Sequence, residues 1–197
     1  MQKSTARFIM STGQSAVYPP EGLPEFAFLG RSNVGKSSLL NKLVDQKGLA
    51  KTSSTPGRTQ LINFFQVEDK YCFVDLPGYG YAKVDKETHR SWQSLIEKYL
   101  GTRQSLALCL LLLDARRGWM EVDLALQDWL VDRGRPYLVV GTKWDKLKSH
   151  KERHSGLAAL KEHAGDLEPV LFSAVTGQGV REIWQTIKTT PPPNRTS

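Results

Sequence analysis

Apolar positions along the chain fall into short unbroken runs separated by stretches in which they recur at helical spacing. Runs over residues 26–29, 71–74, 106–113, 137–140 and 170–172 have strand length and little alternation, the pattern of strands covered on both faces in a parallel sheet. Between them, apolar residues three and four apart predict helices over 37–44, 87–100, 121–131, 151–164 and 180–187. Strand and helix in alternation specify a doubly wound α/β fold of three layers. Residues 61–67 add another strand, and Glu68, Asp69 and Lys70 make a connection short enough to fold it back antiparallel onto the next. The expectation is a mostly parallel six-stranded sheet with one antiparallel strand and about five helices.

The two ends read differently. Residues 1–24 finish in the Pro- and Gly-punctuated stretch from Tyr18 to Pro24 and read as a lead-in segment before the domain core. Residues 189–197 contain three consecutive prolines, which cannot continue a helix, and are expected to be a disordered tail. A length of 197 residues suits one domain, residues 25–188, and 40% hydrophobic with 24% charged residues is an ordinary globular balance. The longest apolar run has eight residues, 106–113, where a membrane span needs about 20. The first residues lack the apolar core of a signal peptide. A cytoplasmic protein without membrane insertion is the expectation. Cys72 and Cys109 each sit inside an apolar run and read as buried free thiols. The net charge of +7 favours anionic partners such as RNA, without naming one.

The residues that carry chemistry stand at the carboxyl ends of the strands. Gly30, Arg31, Ser32, Asn33, Val34, Gly35, Lys36 and Ser37 match the G-x-x-x-x-G-K-[ST] phosphate loop, placed after an apolar strand and before a helical run. The glycines let backbone N–H groups close on phosphates, Lys36 reaches the β and γ phosphates, and the Ser37 hydroxyl is a magnesium ligand. Asp75, Leu76, Pro77 and Gly78 form a D-x-x-G at the end of the next parallel strand. Asp75 is placed to hold magnesium, directly or through water, and the Gly78 N–H to meet the γ-phosphate.

Thr142, Lys143, Trp144 and Asp145 fit the [NT]-K-x-D guanine word. The Asp145 carboxylate can accept from guanine N1–H and the 2-amino group, whereas adenine would leave it unpaired. The Lys143 stem can cover the base plane. Phe172, Ser173 and Ala174 end the last strand, where the Ala174 N–H can meet guanine O6. These positions are where open α/β sheets bind ligands.

Two further words are more specific. Residues 53–65 contain S-S-T-P-G-R-T-Q, and residues 75–82 read D-L-P-G-Y-G-Y-A. In these the chain closely resembles the EngB (YihA/YsxC) family of bacterial GTPases, of the TrmE-Era-EngA-YihA-Septin-like class, over roughly residues 7–188. The resemblance implies that Thr59 is the switch I threonine that ligates magnesium and closes over the γ-phosphate, with Thr55 the competing candidate. It also implies that Gly57, Arg58, Thr59, Gln60 and Leu61 line the nucleotide. Large ribosomal subunits or their precursors, with their RNA and proteins, are the implied partners. A role in normal cell division and septation is implied with them.

Tyr79 stands where Ras-type enzymes carry the glutamine that orients the attacking water, so slow intrinsic hydrolysis is expected. The simplest role for Tyr79 is packing. Asn33 is a candidate to hold a potassium ion beside the transferred phosphate, as related GTPases do. The catalytic set is therefore Lys36, Thr59, Gly78 and Asn33. Arg31 and Arg58 are candidate arginine fingers, with solvation or a ribosomal contact as the plainer reading. Lys143, Lys146, Lys148, Lys151, Arg153 and Lys161 form a candidate RNA face, with a solvated helix surface as the alternative. A monomer is expected. The rival readings are an ATP-using P-loop enzyme and a non-hydrolysing RNA- or protein-binding module stabilised by nucleotide.

Overall fold

The structure, a computed structural model, describes residues 5–13, 17–50, 61–79 and 86–193, with backbone alone over 86–92. Seven strands form one sheet: β1 (Ala6–Thr12), β2 (Glu25–Gly30), β3 (Ile62–Val67), β4 (Tyr71–Asp75), β5 (Leu106–Asp114), β6 (Tyr137–Thr142) and β7 (Val170–Leu171). The helices are α1 (Lys36–Leu43), α2 (Lys86–Thr102), α3 (Glu121–Asp132), α4 (His150–Lys161) and α5 (Val180–Thr189). A single 3-10 turn covers Trp144–Lys146.

The strand order is β1-β3-β4-β2-β5-β6-β7. β4, β2, β5, β6 and β7 run parallel, and β3 is antiparallel to both of its neighbours. The six expected strands and five expected helices are all present. The seventh strand, β1, lies inside the stretch expected to be a lead-in, so the sheet begins earlier than the apolar pattern implies. The reason is its position: β1 is an edge strand with most of its side chains exposed or half-buried, and it lacks the apolar signal of the central strands.

The connection from β3 to β4 puts Glu68 and Asp69 at φ of 52° and 51°. Two successive left-handed residues make the tight hairpin that matches strand twist, which is what folds β3 back.

Period-two alternation divides the central strands between the two faces. Phe26 and Phe28 of β2, with Leu108, Leu110 and Leu112 of β5, pack against Leu39, Leu40 and Leu43 of α1 and Ile183, Trp184 and Ile187 of α5. Ala27 and Leu29, with Cys109 and Leu111, face Leu95, Ile96, Tyr99 and Leu100 of α2 and Leu130 of α3. α4 closes the β6 end through Leu160, against Val139 and Trp144. Every residue of β2 and β5 is buried. The middle of the sheet is therefore rigid, and the loops at its carboxyl edge are held by a fixed base.

Trp184 packs in the core and Trp129 against it, while the side chain of Trp92 lies outside the described residues. The last four residues of the expected tail also lie outside them. Among the described residues no helix is long and apolar enough to cross a membrane.

Candidate nucleotide site

The phosphate loop leaves β2 at Gly30, where a Cβ would come within 2.8 Å of Val34 Cγ1 and 3.0 Å of the Leu112 carbonyl oxygen. Only glycine fits there. Asn33 at φ 63° and Gly35 at φ 111° turn the backbone through left-handed conformations, the geometry that brings successive N–H groups into an anion-binding concavity. α1 starts at Lys36, so the positive end of its dipole faces the same point. Ser37 is half-buried in its first turn.

The D-x-x-G segment lies directly on this loop. Asp75 ends β4 at 4% exposure and forms an ion pair with the Lys36 ammonium. Leu76 and Pro77 are buried behind it. A Cβ on Gly78 would meet Ser32 atoms at 3.0–3.1 Å. The Ser32 N–H donates to the Tyr79 carbonyl at 3.1 Å, and Arg31 and Tyr79 form an isolated parallel bridge. Lys36, Asp75 and Gly78 are thus brought together as the spacing of the motifs requires.

The residues of the candidate guanine word are strapped to the phosphate loop. The Thr142 hydroxyl lies 2.6 Å from the Val34 carbonyl oxygen and 3.0 Å from that of Leu113, and Lys143 Nζ donates to the Asn33 carbonyl at 2.6 Å. The Ser173 hydroxyl donates to Asp145 Oδ1 at 2.8 Å while accepting from the N–H groups of Val175 and Thr176 at 3.2 and 3.1 Å. Trp144 N–H donates to the Phe172 carbonyl at 3.1 Å, tying the two base-side loops together next to half-buried Ala174. Asp145 is therefore aimed by Ser173, with its second oxygen 3.9 Å from Lys146 Nζ. Leu61 is exposed, and Thr55, Gly57, Arg58, Thr59 and Gln60 lie outside the described residues.

Arg31 differs from its expected role. Its Nε sits 3.1 Å from Asp123 Oδ2, and its side chain is 12% exposed. It is paired and largely buried rather than solvated. The Tyr79 hydroxyl donates to the other Asp123 oxygen at 2.9 Å. Burial, then the Asp123 charge, pushes the Tyr79 phenol well above its usual range. Burial also raises the Asp123 carboxyl, against the lowering effect of Arg31 and Tyr79. Tyr79 is thus a packed, anchored residue.

Three residues of the site have no sequence word of their own. Asp123 is buried at the start of α3 and joins the phosphate loop to the residue after D-x-x-G. Asp114 ends β5 and binds both Arg116 and Lys143. Burial works to raise the Asp114 carboxyl, but hydrogen bonds from Arg116 and Lys143 hold it well below the usual carboxylate range. A polar residue closing a nine-residue apolar strand was the available signal for Asp114. Nothing local marks Asp123 or Arg116.

The expected basic face is divided. Lys143 turns to the phosphate loop and Lys161 pairs with Glu168 at 2.7 Å, leaving Lys146, Lys148, Lys151 and Arg153 exposed.

Comparison with known proteins places this geometry. A family model described as "50S ribosome-binding GTPase" matches residues 25–143. A probable GTP-binding protein EngB of Solibacter usitatus is 55% identical over 190 residues, covering 96% of this chain and 98% of its own. The protein of the same description from Chlorobium phaeobacteroides is 49% identical, covering 93% and 95%. A crystal structure of a probable GTP-binding protein engB superposes with a TM-score of 0.67 at 22% identity, over 84% of this chain and 97% of that one. Era in complex with MgGDPNP and a 16S ribosomal RNA segment superposes with a TM-score of 0.68 at 25% identity, over 89% and 59%.

Proposed function

The chain belongs to the EngB family of GTP-binding proteins, and from that premise we propose that it is a slow, magnesium-dependent switch in large ribosomal subunit assembly. It acts as a cytoplasmic monomer, with a GTP-binding domain that takes in β1 as well as the expected residues 25–188, and is needed for normal septation. That it is a P-loop GTPase follows from its family and fold. The observation that carries the switch reading is the contact of Gly78 and Tyr79 with Ser32. A γ-phosphate in the loop meets Lys36 and the Gly78 N–H at once, so its loss on hydrolysis is felt directly in switch II.

Magnesium fits the donor set: the Ser37 hydroxyl and Asp75 carboxylate are hard oxygen ligands at the mouth of the loop, and Thr59 is the third by sequence. When bound, the ion neutralises charge on the β and γ phosphates. Lys36 exchanges Asp75 for phosphate oxygens as nucleotide enters. Asp145 and Ser173 select guanine. Tyr79, its hydroxyl committed to Asp123, does not orient a water, which supports a low intrinsic rate. Asn33 is the residue we assign to a stimulating potassium ion.

The ribosomal part is supported by the description of the matching family model and by the +7 charge. Steady-state GTP turnover, with and without large subunits or their precursors in matched potassium and sodium buffers, tests both parts. Slow turnover that rises with potassium and strongly with large subunits is expected. Equal rates in the two salts exclude the potassium role. Normal GTP binding with no response to subunits excludes the ribosomal one.

A further inference from the structure

A cavity of about 200 Å³ opens between the phosphate loop and the turn after β5, with Ser32, Asn33, Asp114, Arg116, Arg117 and Lys143 in its wall. Three of its cations, Arg31, Arg116 and Lys143, are held in place. Arg31, also in the wall, is matched by Asp123 at 3.1 Å. Asp114 is the one carboxylate among the described residues of the wall, and it is shared. Its Oδ1 accepts from the Arg116 backbone N–H at 3.1 Å and Nε at 2.9 Å, and its Oδ2 from Arg116 Nη2 at 2.6 Å and Lys143 Nζ at 3.0 Å. Arg117 is exposed beside them. Three cations against one carboxylate leave the described residues of the wall, apart from the Arg31–Asp123 pair, with two uncompensated positive charges.

The turn itself is fixed. Arg117 and Gly118 N–H groups donate to the Asp114 carbonyl at 2.8 and 3.1 Å, and Gly118 sits at φ 64° with room for no Cβ clear of Ala159, which lies 3.0 Å from that position. The two arginines are therefore presented by a rigid loop that carries none of the nucleotide-binding words. Planar guanidinium forks match phosphate oxygens, and prior fixation of Arg116 reduces the entropy lost on binding.

We infer that this cavity binds a backbone phosphate of large-subunit RNA and so seats the partner against the phosphate loop. The inference rests on the ribosomal reading above and adds the contact that reading leaves open. RNA is favoured over an acidic protein by the overall positive charge, which gains from counterion release along a phosphate backbone. The position also gives the partner a route to the nucleotide. Lys143 bridges Asp114 and the Asn33 carbonyl, so a phosphate that draws Arg116 shifts the balance of charge on the loop that carries Asn33.

Binding of the GTP-loaded protein to purified large subunits and to protein-free large-subunit RNA, over a series of salt concentrations, tests the site with Arg117→Glu. The expected result is at least a tenfold loss of affinity for both, a salt slope reduced by roughly 1 for the lost phosphate contact, and unchanged GDP affinity. Wild-type binding that Arg117→Glu leaves intact overturns this inference alone. Loss of subunit binding with RNA binding intact assigns the contact to a ribosomal protein and overturns the RNA assignment. A wild-type protein that binds neither subunits nor RNA overturns the ribosomal reading and the inference together.

Discussion

In the proposed function Asp145 is the carboxylate that selects guanine, and the structure holds it ready. Its Oδ1 is held by the Ser173 hydroxyl, which is itself fixed by two backbone N–H groups, so the carboxylate plane is set before a base arrives. Asparagine there turns one acceptor into a donor that faces guanine's own donors. The Asp145→Asn protein is expected to lose about 1–3 kcal/mol of guanine preference and to gain affinity for xanthosine diphosphate, whose C2 oxygen accepts. A competition assay with the two diphosphates reads this; an unchanged ratio would remove Asp145 from base selection. The pair was legible in the sequence because each residue falls in a short word at a strand end. Asp123 was not, because its meaning lies in Arg31 and Tyr79, which only the closed sheet brings to it.

At the scale of elements, the apolar runs identify the strands covered on both faces and miss the one covered least. β1 pairs with β3 alone, from Ala6 opposite Val67 to Thr12 opposite Ile62, with a bulge between Phe8 and Met10. Its stabilising contacts are cross-strand pairs that no periodicity announces: Arg7 Nη2 to Gln66 Oε1 at 2.6 Å, Ser11 Oγ to Asn63 Oδ1 at 2.6 Å, and the Phe8 and Phe65 rings at 5.8 Å. β3 follows the segment proposed as switch I, and β1 braces it on the side away from β4. A chain lacking residues 1–13 is expected to melt several degrees lower, since each kcal/mol lost lowers Tm by about 2–4 °C at this size. Its guanine selectivity should stay as it was, because Asp145 and Ser173 stand at the far side of the sheet. An unchanged Tm in a thermal scan would show that β1 adds nothing to the fold.

For the whole molecule, alkaline pH gives a measure of how tightly the sheet is sealed. Cys72 on β4 and Cys109 on β5 are buried, and burial pushes both thiols up to about 12, with the Glu25 charge adding to the effect at Cys72. Burial likewise raises the phenols of Tyr79 and Tyr99, with Asp123 and Glu25 contributing. All four groups are neutral in the fold at a pH where the unfolded chain ionises them. A raised folded pKa gives stability that is complete below the unfolded value, about 9 for a thiol, and is lost as pH rises toward the folded one. Stability in urea is therefore expected to hold up to about pH 9 and to fall between there and about 12. Thiol labelling at pH 8 should be slow in the native protein and should accelerate only with global unfolding, since the thiolate is the reactive form. Labelling of either cysteine at the rate of an exposed thiol under native conditions would mean that the two central layers open locally, and would contradict the packing of Cys109 between β2 and β6.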